Sequence, residues 1–101
     1  MTGKKYDSEK PRLDLVPGEL TLAAGRAFTY GAGKYGDHNW RGGITHNRLF
    51  AALQRHLTAY WGGETVDPES GLCHLDHAAA NLAMMLATPE YDNRWRKDEN
   101  S

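Results

Sequence analysis

Three of the five histidines fall where helical geometry can gather them. In His74-x-x-His77-x-x-x-Asn81, steps of three and then four residues put all three side chains on one face of a helix. That face stands apart from the leucines of the same segment. If buried, it needs partners, either a polar stripe on another helix or a wet pocket. His56 lies three residues after Leu53 and one before Leu57, so it points to the core side of its own segment and can join the other two imidazoles. Such a cluster can bind a transition metal, donate to a phosphate or a base edge, or orient water. His56, His74 and His77 are therefore the catalytic candidates, with Asn81 as a binding residue beside them. A hydrogen-bonded network between helices, with no ligand, is the plainer alternative, and the spacing leaves both open.

Gly31-Ala32-Gly33-Lys34-Tyr35-Gly36-Asp37-His38-Asn39-Trp40-Arg41 reads as a ligand loop. Glycine permits close backbone approach, Lys34 and Arg41 supply positive charge, Tyr35 or Trp40 can stack on a base, and Asn39 offers an amide. The spacing is neither a P-loop nor GxGxxG, and the segment follows a helix instead of a strand. A glycine-rich helix end whose aromatics simply pack is the competing reading. Lys10 and Arg12 flank Pro11, while Arg48 and Arg55 share a helix face. Together these four could grip a polyphosphate through arginine forks, although any one of them alone is ordinary solvated charge. Glu64, Asp67 and Glu69 form a dense acidic loop suited to Mg2+ or Mn2+, which take oxygen ligands. Asp67-Pro68 reads equally well as a helix cap followed by proline. Asp76 lies on a different helix face and is set apart.

The elements that must position these residues follow from the apolar periodicity. Leu20, Ala23, Ala24, Ala27, Phe28 and Ala32 mark a first helix, starting near Pro17 and ending between Gly33 and Gly36. Leu49, Phe50, Leu53, Leu57, Tyr60 and Trp61 mark a second, with Thr45 as its N-cap and Gly62-Gly63 as its stop. The third runs from about Leu72 to Ala87, closed by Thr88-Pro89. Its Leu75, Ala78, Ala79, Leu82, Ala83, Met85 and Leu86 predict that it is the buried helix. The expected fold is all-α: a small helical domain of three main helices, completed by oligomerisation to a dimer or tetramer. Residues 1–16 form an extended N-terminal arm, 17–88 the helical nucleotide-binding domain and 89–101 a charged tail.

At 101 residues this is one domain, and 12 basic against 13 acidic residues leave a net charge of −1, so no global field draws it to a nucleic acid polymer or an anionic membrane. One cysteine, Cys73, excludes an internal disulfide and a cysteine-rich zinc site. Neither a signal peptide nor a membrane span is expected, so the predicted location is the cytoplasm, that of the host cell if the chain is phage-encoded.

Four blocks in order carry a family resemblance: Lys10-Pro11-Arg12-Leu13-Asp14-Leu15-Val16-Pro17, the Gly31 to Trp40 segment, Arg55-His56-Leu57, and Gly63-Glu64-x-x-Asp67-x-Glu69-Ser70-Gly71-x-x-His74-Leu75-x-His77. From about residue 10 to 87 the chain resembles a phage-rich family named for dATP/dGTP diphosphohydrolase, distantly similar to MazG-like all-α pyrophosphohydrolases. The resemblance implies a helical domain that acts on purine deoxynucleoside triphosphates, releasing pyrophosphate with magnesium's help. The MazG-like metal motif, EExxE followed by ExxD, is missing: the second helix has no carboxylate, and the matching place on the third reads His74-Leu75-Asp76-His77. Catalysis would then fall to Glu64, Asp67 and Glu69 or to the histidines. The expected function is a metal-dependent purine (d)NTP pyrophosphohydrolase. A non-catalytic phage protein that sequesters a phosphorylated purine signalling nucleotide is the alternative, and a helical assembly module without a small ligand is the third.

Overall fold

Three helices end where their stop signals stand. A computed structural model of the chain describes residues 10–88. Helix α1 spans Gly18–Tyr35, with Pro17 one position ahead of it, and Gly36 closes it at φ 100°, a left-handed conformation that an L side chain adopts only under strain. Helix α2 spans His46–Trp61 and opens with the Thr45 hydroxyl accepting from the Arg48 amide at 3.4 Å. It stops at Gly62 and Gly63, the latter at φ 110°. Helix α3 spans His74–Ala87, capped by the Cys73 sulfur, which accepts from the Leu75 amide.

Helix α3 begins two residues later than the periodicity predicts, because the chain before it is pinned into a tight loop. The Asp67 amide donates to the Leu72 carbonyl at 2.8 Å and the His74 amide to the Thr65 carbonyl at 2.9 Å, around an isolated antiparallel bridge between Val66 and Cys73. Among the described residues there is no extended strand. The expected arm is not fully extended either, since Leu13–Leu15 makes a 3-10 turn. Asn39–Gly42 makes another, entered through His38 in the left-handed region at φ 56°. Residues 1–9 of the arm and the tail 89–101, with Pro89, lie outside the described residues.

Helix α3 packs along both other helices, whereas α1 and α2 barely touch each other. The buried apolar side chains are Ala27, Leu49, Ala78 and Ala80. Helix α3 is indeed the most buried, but through the face opposite to the leucine-rich one predicted: Leu75, Leu82 and Leu86 are exposed, while His74, Asp76, Ala78, Ala80 and Asn81 face inward. Small alanines let the helix backbones approach closely, and the polar groups turned inward find partners there, which removes the cost of burying them. Asp76 takes two bonds from the Arg26 guanidinium at 3.0 Å, tying α3 to α1. Arg26 carries no periodic signal, and its partner lies fifty residues away. On α2, Leu49 is buried as expected, but Phe50, Leu57 and Trp61 of the same predicted stripe are exposed. Among the described residues no helix is long and apolar enough to cross a membrane.

Candidate functional site

Between α1 and α2, above α3, lies a cleft of about 900 Å³. Each helix contributes to it. His56 comes from α2, His77, Ala80, Asn81 and Met84 from α3, and residues 27 to 32, 34 and 35 of α1 form the facing side. The loop before α3 adds Asp67 and Glu69, and the segment after α1 adds Asn39, Trp40 and Arg41. His77 and Asn81 of the α3 polar stripe therefore open into a pocket, whereas His74 is closed against His56 of α2.

On the imidazole wall, His56 and His77 stack with ring centroids 4.6 Å apart and planes within 14°. His74 sits behind them, buried, with its Nδ1 2.8 Å from Nδ1 of His56 and its Nε2 2.7 Å from a Glu64 carboxylate oxygen. His77 is held differently. Its Nε2 lies 2.6 Å from the Ser70 hydroxyl and 3.4 Å from Asp67, and Ser70 donates to Asp67 at 2.9 Å. Because the Ser70 proton goes to Asp67, His77 must donate its Nε2–H to the Ser70 oxygen. Tyr30 of α1 meets the His77 ring edge-on at 6.0 Å. The Asn81 amide returns to its own helix, donating to the His77 carbonyl at 2.9 Å while still lining the cleft.

Two groups on this wall have shifted acidities. Partial burial holds His56 below its ordinary value of 6.5, helped by the charges His77, His74 and Arg55 can carry and partly opposed by Asp67. Its imidazole is thus neutral over most of the physiological range. Burial pushes the Asp67 carboxyl up, but bonds from Ser70 and the Glu69 amide, with His77 and His56 nearby, outweigh it and hold the group below its usual range. Asp67 stays a carboxylate.

The opposite wall is cationic and aromatic. Lys34 pairs with Glu69 at 3.3 Å and lies 5.3 Å from the Tyr35 ring and 5.7 Å from the Tyr30 ring. The Tyr35 hydroxyl, and after it Glu69, hold the Lys34 ammonium above the usual lysine range. Arg41 stacks its guanidinium 4.4 Å over Trp40, which Phe28 supports from α1 at 5.8 Å. With one face taken by Arg41, Trp40 serves first to orient that cation, while Tyr35 is largely exposed with Lys34 held beside its ring.

The sequence thus predicts one wall of the cleft better than the outlying cations. Of the four charges expected to grip polyphosphate, Lys10, Arg12, Arg48 and Arg55 line none of this cleft. Arg12 turns to Asp14 at 2.8 Å, and Arg55 is exposed on α2 next to His56. The three acidic-loop residues also part company: Glu64 goes to His74, Asp67 to Ser70 and His77, Glu69 to Lys34. Among the described residues no three His, Cys, Asp or Glu side chains gather into a metal cage. A magnesium seat made of two carboxylates, Asp67 and Glu69, and completed by phosphate oxygens is compatible with this donor set. Ser70 and Tyr30 were not evident as site residues. The signals that could have found them are the Asp67-x-x-Ser70 turn and the four-residue step from Tyr30 to Lys34 on one helix face.

The family described as "dATP/dGTP diphosphohydrolase, N-terminal" matches residues 1–99. A protein of Salmonella phage PMBT28 named "dATP/dGTP diphosphohydrolase" is 38% identical over 86 residues, which is 85% of this chain and 29% of the phage protein. The chain therefore spans less than a third of that relative's length. No solved structure matches it. A helical chain matched over nearly its whole length, with His56 and His77 stacked on one wall of its cleft, belongs to the dATP/dGTP diphosphohydrolase N-terminal family.

Proposed function

We propose that the cleft binds a purine deoxynucleoside triphosphate and that the chain hydrolyses it to the monophosphate and pyrophosphate, the reaction class in the name of its phage relative. The observation that carries this reading is the opposition of two unlike walls across one gap. Lys34 and Arg41 face it from one side, and a stacked pair of imidazoles beside a carboxylate faces it from the other. Phosphate oxygens only accept hydrogen bonds and carry negative charge, so they go to the lysine and arginine. A purine is a flat π-system, and Tyr35 offers it an exposed ring. The imidazole wall serves the attacking water, because a neutral histidine can take a proton at neutral pH. Magnesium, held by Asp67 and Glu69 together with phosphate oxygens, would supply neutralisation of the triphosphate charge.

One observation favours a second reading, sequestration of a phosphorylated purine without cleavage. All three acidic-loop carboxylates already have protein partners, which suits a pocket that holds its ligand unchanged.

A single experiment separates the two. Purified protein is incubated with each dNTP and magnesium or manganese, then heat-denatured, and the nucleotides are resolved by mass spectrometry. Monophosphate and pyrophosphate from dATP or dGTP are expected, with turnover reduced at least a hundredfold in His56→Ala. Intact nucleotide recovered in stoichiometric amount would establish sequestration instead. Neither turnover nor binding across the metal panel would sink both.

A further inference from the structure

The buried imidazole of His74 does not line the cleft, yet both of its ring nitrogens are engaged. It touches His56 with one nitrogen and Glu64 with the other, at 2.8 and 2.7 Å. Those two contacts restrict where protons can sit. A carboxylate oxygen of Glu64 faces His74 Nε2 at 2.7 Å, and that nitrogen must carry a hydrogen to approach so closely. When both rings are neutral, each imidazole holds a single hydrogen. His74 then has a bare Nδ1, which can meet the Nδ1 of His56 at 2.8 Å only if His56 donates. The opposite arrangement of a neutral pair would set a lone pair of His74 against the Glu64 carboxylate. With its hydrogen on Nδ1, His56 has a bare Nε2, for which no hydrogen-bond partner is found among the described residues.

We propose that Glu64 and His74 are positioning residues whose hydrogen bonds lock His56 into the Nδ1–H tautomer, leaving its Nε2 bare at the cleft wall to receive the proton of the attacking water. This deepens the hydrolytic reading and rests on it for the role given to the water. In the step, the water oxygen bonds to the α-phosphorus and the bond from that phosphorus to the pyrophosphate oxygen breaks with its electron pair leaving on pyrophosphate. The water proton passes to Nε2 of His56. The imidazolium formed keeps its Nδ1–H bond to His74, whose Nε2–H remains on Glu64, so a carboxylate faces the new positive charge through one ring. The groups around His56 are His74 and His77 from α3, Asp67 from the loop and Arg55 on its own helix. The arrangement also sorts the ligand, because a bare nitrogen repels phosphate oxygens. The phosphates are thereby turned to the Lys34 and Arg41 side.

The test reads the tautomers directly. Uniformly nitrogen-15-labelled full chain, without nucleotide and at about pH 8, is examined by long-range proton–nitrogen correlation of the imidazole rings. His56 is expected as the Nδ1–H form and His74 as the Nε2–H form. In Glu64→Ala both rings should lose that lock and show averaged nitrogen shifts. With a dNTP substrate the same variant should lose roughly tenfold to a hundredfold in kcat with KM unchanged. A hydrogen on Nε2 of His56 in the unsubstituted chain overturns the proposal, as does a His74 protonated on both nitrogens, or a His56 tautomer indifferent to Glu64→Ala. The ligand-free spectrum is independent of turnover. Locked tautomers without hydrolysis would uphold the relay and remove the hydrolytic reading, while hydrolysis with the wrong tautomer would do the reverse.

Discussion

His56 shows how one ring can be tuned by what surrounds it. Burial first, and then the neighbouring imidazoles, disfavour its charged form. Its folded-state value is therefore lower than in the unfolded chain, so the unfolded state takes up the proton first as the pH drops. The stability His56 contributes is complete above the ordinary histidine value and is lost as pH falls through the lower, folded one. Thermal midpoints measured from about pH 8 to pH 5 should fall with acid, and the fall should be shallower in His56→Gln. A midpoint curve identical in the two proteins would mean that the ring feels no such environment. The imidazole cluster was legible in the sequence because His74 and His77, three residues apart on a helix, must share a face, and His56 points to the core side of its own helix. Which carboxylate each ring would meet was not, because Glu64 and Asp67 reach them through a loop whose turns depend on hydrogen bonds between backbone groups that any residue carries.

At the scale of the elements, helix ends were readable to within two residues, since glycine and threonine act locally on the backbone. The inward face of α3 was not. Leucines give the stronger hydrophobic signal, but two alanines and a set of partnered polar groups allow closer packing than leucine would. Arg26 and Asp76 are central to that arrangement, and their pairing depends on the tertiary fold alone. Arg26→Met would leave the Asp76 carboxylate buried without its cation, and the thermal midpoint should drop by roughly 5 to 10 °C. The double variant Arg26→Met with Asp76→Leu should recover much of that loss, because an apolar pair needs no compensation. Melting curves of the three proteins decide it, and equal losses in the single and double variants would show that the pair is not what joins α1 to α3.

At the scale of the molecule, the described residues bury few large apolar side chains and expose many. Phe50, Leu57 and Trp61 run along α2 at steps of seven and four, and Leu75, Leu82 and Leu86 repeat that spacing on α3. Trp61 is 88% exposed. Stripes of this kind are covered in stable proteins, and a second copy of the chain is the expected cover. Light scattering coupled to size exclusion should give at least a dimer, and Trp61→Glu with Leu82→Glu should shift it to a monomer with its helical signal intact. A monomeric unsubstituted protein at high concentration would rule that out.

Helices α1 and α2 are each fastened to α3 and hardly to one another. The frame is thus a triangle with two rigid sides and a missing third, and the gap runs through the cleft. Whatever spans from Lys34 and Arg41 to His56 works as the absent strut. Stiffness is therefore expected to rise with occupancy, read as slower amide hydrogen exchange in α1 and α2 when nucleotide is bound.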